Sequence, residues 1–90
     1  MVLVSVAAMT GLGSATIRVR LFAALRDAAG WSEQEWPIDL ARSPEAVWQQ
    51  LQLDGDLQTV RVAINHAFAA ADEPLQAGDE LAFLPPISGG

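Results

Sequence analysis

The 90-residue chain has no cysteine, a single histidine and no lysine, so that its five cationic side chains are all arginine. Without cysteine there is no disulfide framework, no thiolate metal site and no cysteine nucleophile or persulfide, and the redox compartment stays undetermined. Without lysine the domain offers no side-chain amine for an isopeptide bond, which makes it a poor acceptor for its own or another carboxyl-activated tail. Five cations against eleven acids leave a formal net charge of −6 at neutral pH. That balance argues against nucleic acid and against an anionic membrane, whose phosphates require clustered cations. The excess acid serves either simple solubility or the steering of the protein onto a basic partner.

Long apolar runs are missing as well. Residues 1–8 (MVLVSVAA) are apolar but too short to span a bilayer, and no positive charge precedes Arg18 as the start of a signal peptide requires. The expectation is a cytoplasmic protein with no membrane association.

At 51% hydrophobic and 18% charged residues, the chain has the composition of one folded domain, too short for a second. Residues 1–15 carry no charged side chain and end in Gly11, Gly13 and Ser14. They read as an N-terminal extension, either an extra edge strand through Val2, Leu3, Val4 and Val6 or a disordered start. Residues 16–85 then form the domain, and residues 86–90 a flexible diglycine tail.

Within the domain, residues 16–22 (TIRVRLF) alternate, with Ile17, Val19 and Leu21 on one side and Arg18 and Arg20 on the other, which predicts a half-buried strand. Residues 23–29 (AALRDAA) are helix formers closed by Gly30. A second strand is expected over residues 31–40, with Trp36 and Ile38 inward and Pro37 placing it at an edge or near its end. Ser43, Pro44 and Glu45 mark the start of the main packing helix, whose apolar positions are Ala46, Val47, Trp48 and Leu51. After a polar turn at residues 53–58, residues 60–64 (VRVAI) predict a third strand, and Asn65-His66 a tight turn into residues 67–71. Gly78-Asp79 marks a further turn, and residues 80–84 (ELAFL) a last strand with Leu81 and Phe83 on one face. Strands and helices mixed without strict alternation predict an α+β fold, a sheet with its main helix on one face.

The chemistry is expected in the run Phe83-Leu84-Pro85-Pro86-Ile87-Ser88-Gly89-Gly90, with Gly90 taken as the C-terminus. The prolines extend the backbone away from the domain, and the glycines lack Cβ atoms, leaving a thread thin enough for a narrow enzyme channel. A C-terminal glycine carboxylate is an unhindered acyl group. Activated as an acyl-adenylate and attacked by sulfide, it becomes a thiocarboxylate. A terminal diglycine is also what an inert flexible end looks like, but an apolar strand running straight into PPISGG is hard to explain as fraying.

Two segments carry a family resemblance. Residues 19–30 (VRLFAALRDAAG) are similar to the opening strand and helix, and residues 62–90, with AIN, LQAGDELAFLPP and the closing SGG, to the end, of the sulfur-carrying small subunits of molybdopterin synthase. These are MoaD-like members of the ThiS-MoaD family of ubiquitin-like β-grasp proteins. Residues 31–59 match only in pattern, and residues 1–15 have no counterpart. The resemblance implies a mixed sheet of about five strands with a packed helix and an extended tail. It implies no permanently bound cofactor and no metal. An E1-like adenylating enzyme uses ATP to activate Gly90, a sulfur donor converts it to 1-thioglycine, and the tail enters the large subunit of molybdopterin synthase, in a heterotetramer. There sulfur passes to cyclic pyranopterin monophosphate to form the dithiolene of the molybdenum cofactor. By this resemblance the chain is a non-catalytic sulfur donor: Gly90 reacts, Gly89 and Ser88 form the tail, and Phe83, Leu84, Pro85, Pro86 and Ile87 form an apolar seam for partners.

Three other readings stay open: a carrier for thiazole, cysteine or thiolated-tRNA synthesis, a ubiquitin-like modifier that joins Gly90 to lysines of targets, and an interaction domain with an inert tail. His66, in a turn, reads as solvated. Trp31, Trp36 and Trp48 read as packing residues. Asp72, Glu73, Asp79 and Glu80 read as solvated acids or as salt-bridge partners for the activating enzyme.

Overall fold

The structure is a computed structural model, and it describes residues 15–85. The extension at residues 1–14 and the tail at residues 86–90 lie outside the described residues.

Strand β1 (Thr16–Leu21) buries Ile17, Val19 and Leu21 and leaves Arg18 exposed, as its alternation requires. Helix α1 (Ala23–Ala29) buries Leu25 and ends at Gly30, whose φ of 87° supplies the left-handed turn that closes the helix. Strand β2 (Glu33–Pro37) is shorter than the expected 31–40. Beyond Pro37 the chain tightens into a 3₁₀ turn at Ile38–Leu40, so Ile38 packs against the core from a turn. The loss of an N–H at Pro37 is tolerated there because β2 is an edge strand.

Helix α2 (Pro44–Leu51) starts as its sequence dictates: the Ala46 N–H donates to the Ser43 Oγ at 3.2 Å, with Pro44 in the first turn. Val47 and Trp48 are its buried face, and its end is turned by Gln52, a non-glycine residue at φ 54°. A 3₁₀ turn at Leu57–Thr59 leads into β3 (Arg61–Ile64). Asn65 and His66, both at positive φ, turn the chain into the two-residue β4 (Ala67–Phe68). Strand β5 (Glu80–Leu84) is last, within the bounds its sequence predicts.

The sheet order is β2-β1-β5-β3-β4. β5 pairs parallel with β1 on one side and antiparallel with β3 on the other, and the two outer pairs are antiparallel. The last strand in sequence is thus the middle strand in space. Both helices contribute to one core, where Leu25, Val47 and Trp48 meet Ile17, Val19, Leu21, Val62, Leu81 and Phe83. The outer face carries Arg18, Arg20, Arg61 and Phe68, with Ala63 and Ala82 between them in the register.

The root of the tail and its surroundings

Among the described residues the site reduces to the base from which the tail leaves. Phe83 lies opposite Leu21 on one side and Val62 on the other, and Leu84 lies opposite Arg61. Pairing with β1 holds β5 through Phe83 and pairing with β3 through Leu84, so the chain that leads to the tail leaves from the middle of the sheet.

The expected seam needs one correction. Phe83 is 0% exposed and belongs to the core, so it has no surface to offer a partner. The alternation of ELAFL puts Leu81 and Phe83 on one face, and that face lies under α2. Leu84 and Pro85 are half-buried. Pro86, Ile87, Ser88, Gly89 and Gly90 lie outside the described residues.

An apolar surface does exist nearby, at residues the sequence did not single out. Phe68 is 71% exposed, and the Arg61 guanidinium lies 5.5 Å from its ring centroid. The Arg20 guanidinium lies 5.0 Å from the ring of Phe22. Each arginine flanks an aromatic ring, an arrangement that shields the ring and keeps the cation in water. The signal was in the sequence: Arg61 and Ala63 alternate against Val62 and Ile64, which sends them to the outer face.

The acids near β5 are occupied. The Glu80 carboxylate lies 3.4 Å from Arg20 Nη1 and 3.2 Å from His66 Nε2. Asp79 accepts from the Gln76 N–H at 2.9 Å and from the Asn65 side-chain amide at 3.0 Å. Asn65 Oδ1 in turn accepts the Glu80 N–H at 3.0 Å. Asp79 and Glu80 therefore tie the β3–β4 turn to the start of β5, while Asp72 and Glu73 are exposed. Gly78, at φ 91°, makes the turn its sequence predicts. His66 is exposed, and among the described residues no group of acids and histidine is placed to hold a metal. Nor is any helix among them long and apolar enough to cross a membrane.

A five-stranded mixed sheet of this order, with its terminal strand central and helices on one face, defines the ubiquitin-like β-grasp class. It is similar to small archaeal modifier protein 1 from H. volcanii, with a TM-score of 0.67 and 28% identity over 81% of this chain and 99% of that one. A chain of the complex between subunits 1 and 2 of molybdopterin-converting factor from Helicobacter pylori shares the fold (TM-score 0.59, 24% identity, 83% of this chain and 99% of that one). The ThiS family model matches residues 19–90. The molybdopterin synthase sulfur carrier subunit of Escherichia coli is 32% identical over 81 residues, covering 82% of this chain and 99% of that protein. The chain belongs to the ThiS family.

Proposed function

We propose that this protein carries sulfur in molybdenum cofactor biosynthesis, on the carboxylate of Gly90. One observation carries the reading. The likeness to a named sulfur carrier spans nearly the whole of that relative, and the family match runs through the SGG end. The central placement of β5 supports it, because a tail that must be threaded into other proteins needs a firm root.

The chemistry balances on Gly90. Its carboxylate attacks the α-phosphate of ATP, pyrophosphate leaves, and an acyl-adenylate forms on the E1-like enzyme. Sulfide, delivered by a donor, attacks the acyl carbon and expels AMP, leaving a thiocarboxylate. In the large synthase subunit that sulfur bonds to the pterin precursor, and water then cleaves the acyl–sulfur bond to restore the carboxylate. A dithiolene has two sulfur atoms, so two loaded tails are spent for each product.

Incubation with the activating enzyme, ATP and sulfide should change the intact mass by one oxygen-for-sulfur exchange. Deleting Gly90 should abolish that change without altering the thermal transition. A Gly90-deleted protein that supports dithiolene formation at the native rate would overturn the reading.

The likeness to small archaeal modifier protein 1 favours a second reading, in which the same adenylate is captured by an amine of a target protein. It predicts covalent adducts in the absence of sulfide. Because the chain has no lysine, such adducts would not grow into chains through its own side chains.

A further inference from the structure

Among the described residues Phe68 is the large apolar side chain most open to solvent. A lone exposed ring is ordinary on a protein surface. This one is not alone. The Arg61 guanidinium lies beside it, 5.5 Å from the ring centroid, and on the other side of the sheet Arg20 stands in the same way beside the half-buried Phe22. The strand register joins the two pairs. Arg20, Ala82, Ala63 and Phe68 form one row across β1, β5, β3 and β4, and in the next row on this face Arg61 lies opposite Leu84. Ala82 and Ala63 are only 8% and 7% exposed although they belong to the outer face, so the longer side chains around them lie over them.

The acids of this face are already engaged. Glu33 is paired with Arg18 and Arg20, and Glu80 with Arg20 and His66. Arg61 makes no salt bridge among the described residues, in a chain with eleven acids and five arginines. Its ring contact is attractive but offers no hydrogen-bond acceptor, so the guanidinium donors stay in water. A carboxylate supplies two acceptors in the planar geometry that those donors match.

We infer that Arg61 is a specificity-determining residue for the protein that takes the tail: it pairs with a carboxylate of that protein, while an apolar side chain beside the carboxylate packs on Phe68 and Leu84. The identity of that protein, the large synthase subunit, rests on the sulfur-carrier reading. Charge and place select the occupant. A basic segment sets a second cation against Arg61, and a wholly apolar one strips water from the guanidinium without replacing its hydrogen bonds. A second copy of this chain, joined through the same patch by a twofold axis, brings the two Arg61 side chains together. Place decides the rest. Leu84 is followed by Pro85, the last described residue, so a protein that holds the tail stands beside this face. On docking, Arg61 turns from the ring to the carboxylate, and the uncovered face of Phe68 takes the apolar group. One weak contact is exchanged for two complementary ones.

The test is calorimetry of the full chain with the large synthase subunit, beside an intact-mass measurement of sulfur loading on the wild type. Phe68→Ala should weaken the complex about tenfold, as for an aromatic anchor. Arg61→Gln keeps most of the stem and loses the charge, and should weaken it severalfold. Arg61→Glu should weaken it further, since like charges then meet. Glu45→Gln, on the helical side, should leave it unchanged. Every replaced side chain is exposed, so thermal unfolding should stay cooperative, and if Phe68→Ala does not fold, the Arg61 variants decide. Wild-type affinity in folded Phe68→Ala, or in Arg61→Glu, overturns the assignment and leaves the sulfur-carrier reading in place. A wild-type chain that takes up sulfur but does not bind the large subunit also overturns the assignment, and one that does neither overturns that reading with it.

Discussion

Trp48 and Phe83 pack with their ring centroids 5.2 Å apart and their planes inclined at 58°, joining the main helix to the middle strand of the sheet. Phe83 stands two residues before Pro85, the last described residue. Tilted aromatic pairs of this kind add to the free energy of burial, so the strand that leads to the tail is anchored in the core.

Replacing Phe83 should therefore act on stability. Phe83→Ala should cost about 3–5 kcal/mol in denaturant unfolding, and Phe83→Leu under about 1.5 kcal/mol. A loss below about 1 kcal/mol for Phe83→Ala would return the residue to the surface role its sequence context suggested.

Asn65 bonds the backbone of Glu80 and the side chain of Asp79 while its own φ is 52°. Asn65→Ala removes both bonds and puts an unsuited residue in the left-handed region, and should destabilise by about 1–3 kcal/mol. Asn65→Gly should recover the backbone part only, so its melting temperature should fall between the two.

The core cluster is assembled between Ile17 and Phe83, and the Ala15 carbonyl accepts the Ile38 N–H at 3.0 Å. Deleting residues 1–14 should accordingly leave a cooperative thermal transition. Loss of that transition would make the extension part of the domain.

On the proposed function, Gly89→Val should fold normally but be poorly loaded or poorly delivered, because a branched Cβ thickens the chain beside Gly90. Intact-mass measurement after activation separates the two failures: a loaded but inactive protein locates the fault in the synthase channel.

Much of the fold was legible because local chemistry and tertiary packing agree. The alternation in β1, the Ser43 cap and the Gly30 end are local signals, and each appears where its residues place it. Phe83 was misjudged because alternation tells which residues share a face and not what lies over that face. The FLPPI run looked exposed in one dimension, yet β5 enters the middle of the sheet. Gln52 ends α2 in a left-handed conformation without glycine or asparagine, so no residue type announced it. The Asp79 and Glu80 bonds join residues fourteen or more positions from their partners Asn65, His66 and Arg20, beyond any local pattern.

The parallel pairing of β1 with β5 also decides how the domain bears mechanical load. Both strands run the same way, so the chain enters β1 at one pole of the sheet and leaves β5 at the other. Pulling the tail away from Thr16 slides the two strands along each other, and the hydrogen bonds between them are strained together, in shear. They are not peeled apart in turn. The antiparallel contact with β3 adds a second row on the other side. A partner that draws on the tail, as the proposed function requires, would load both rows of hydrogen bonds in shear.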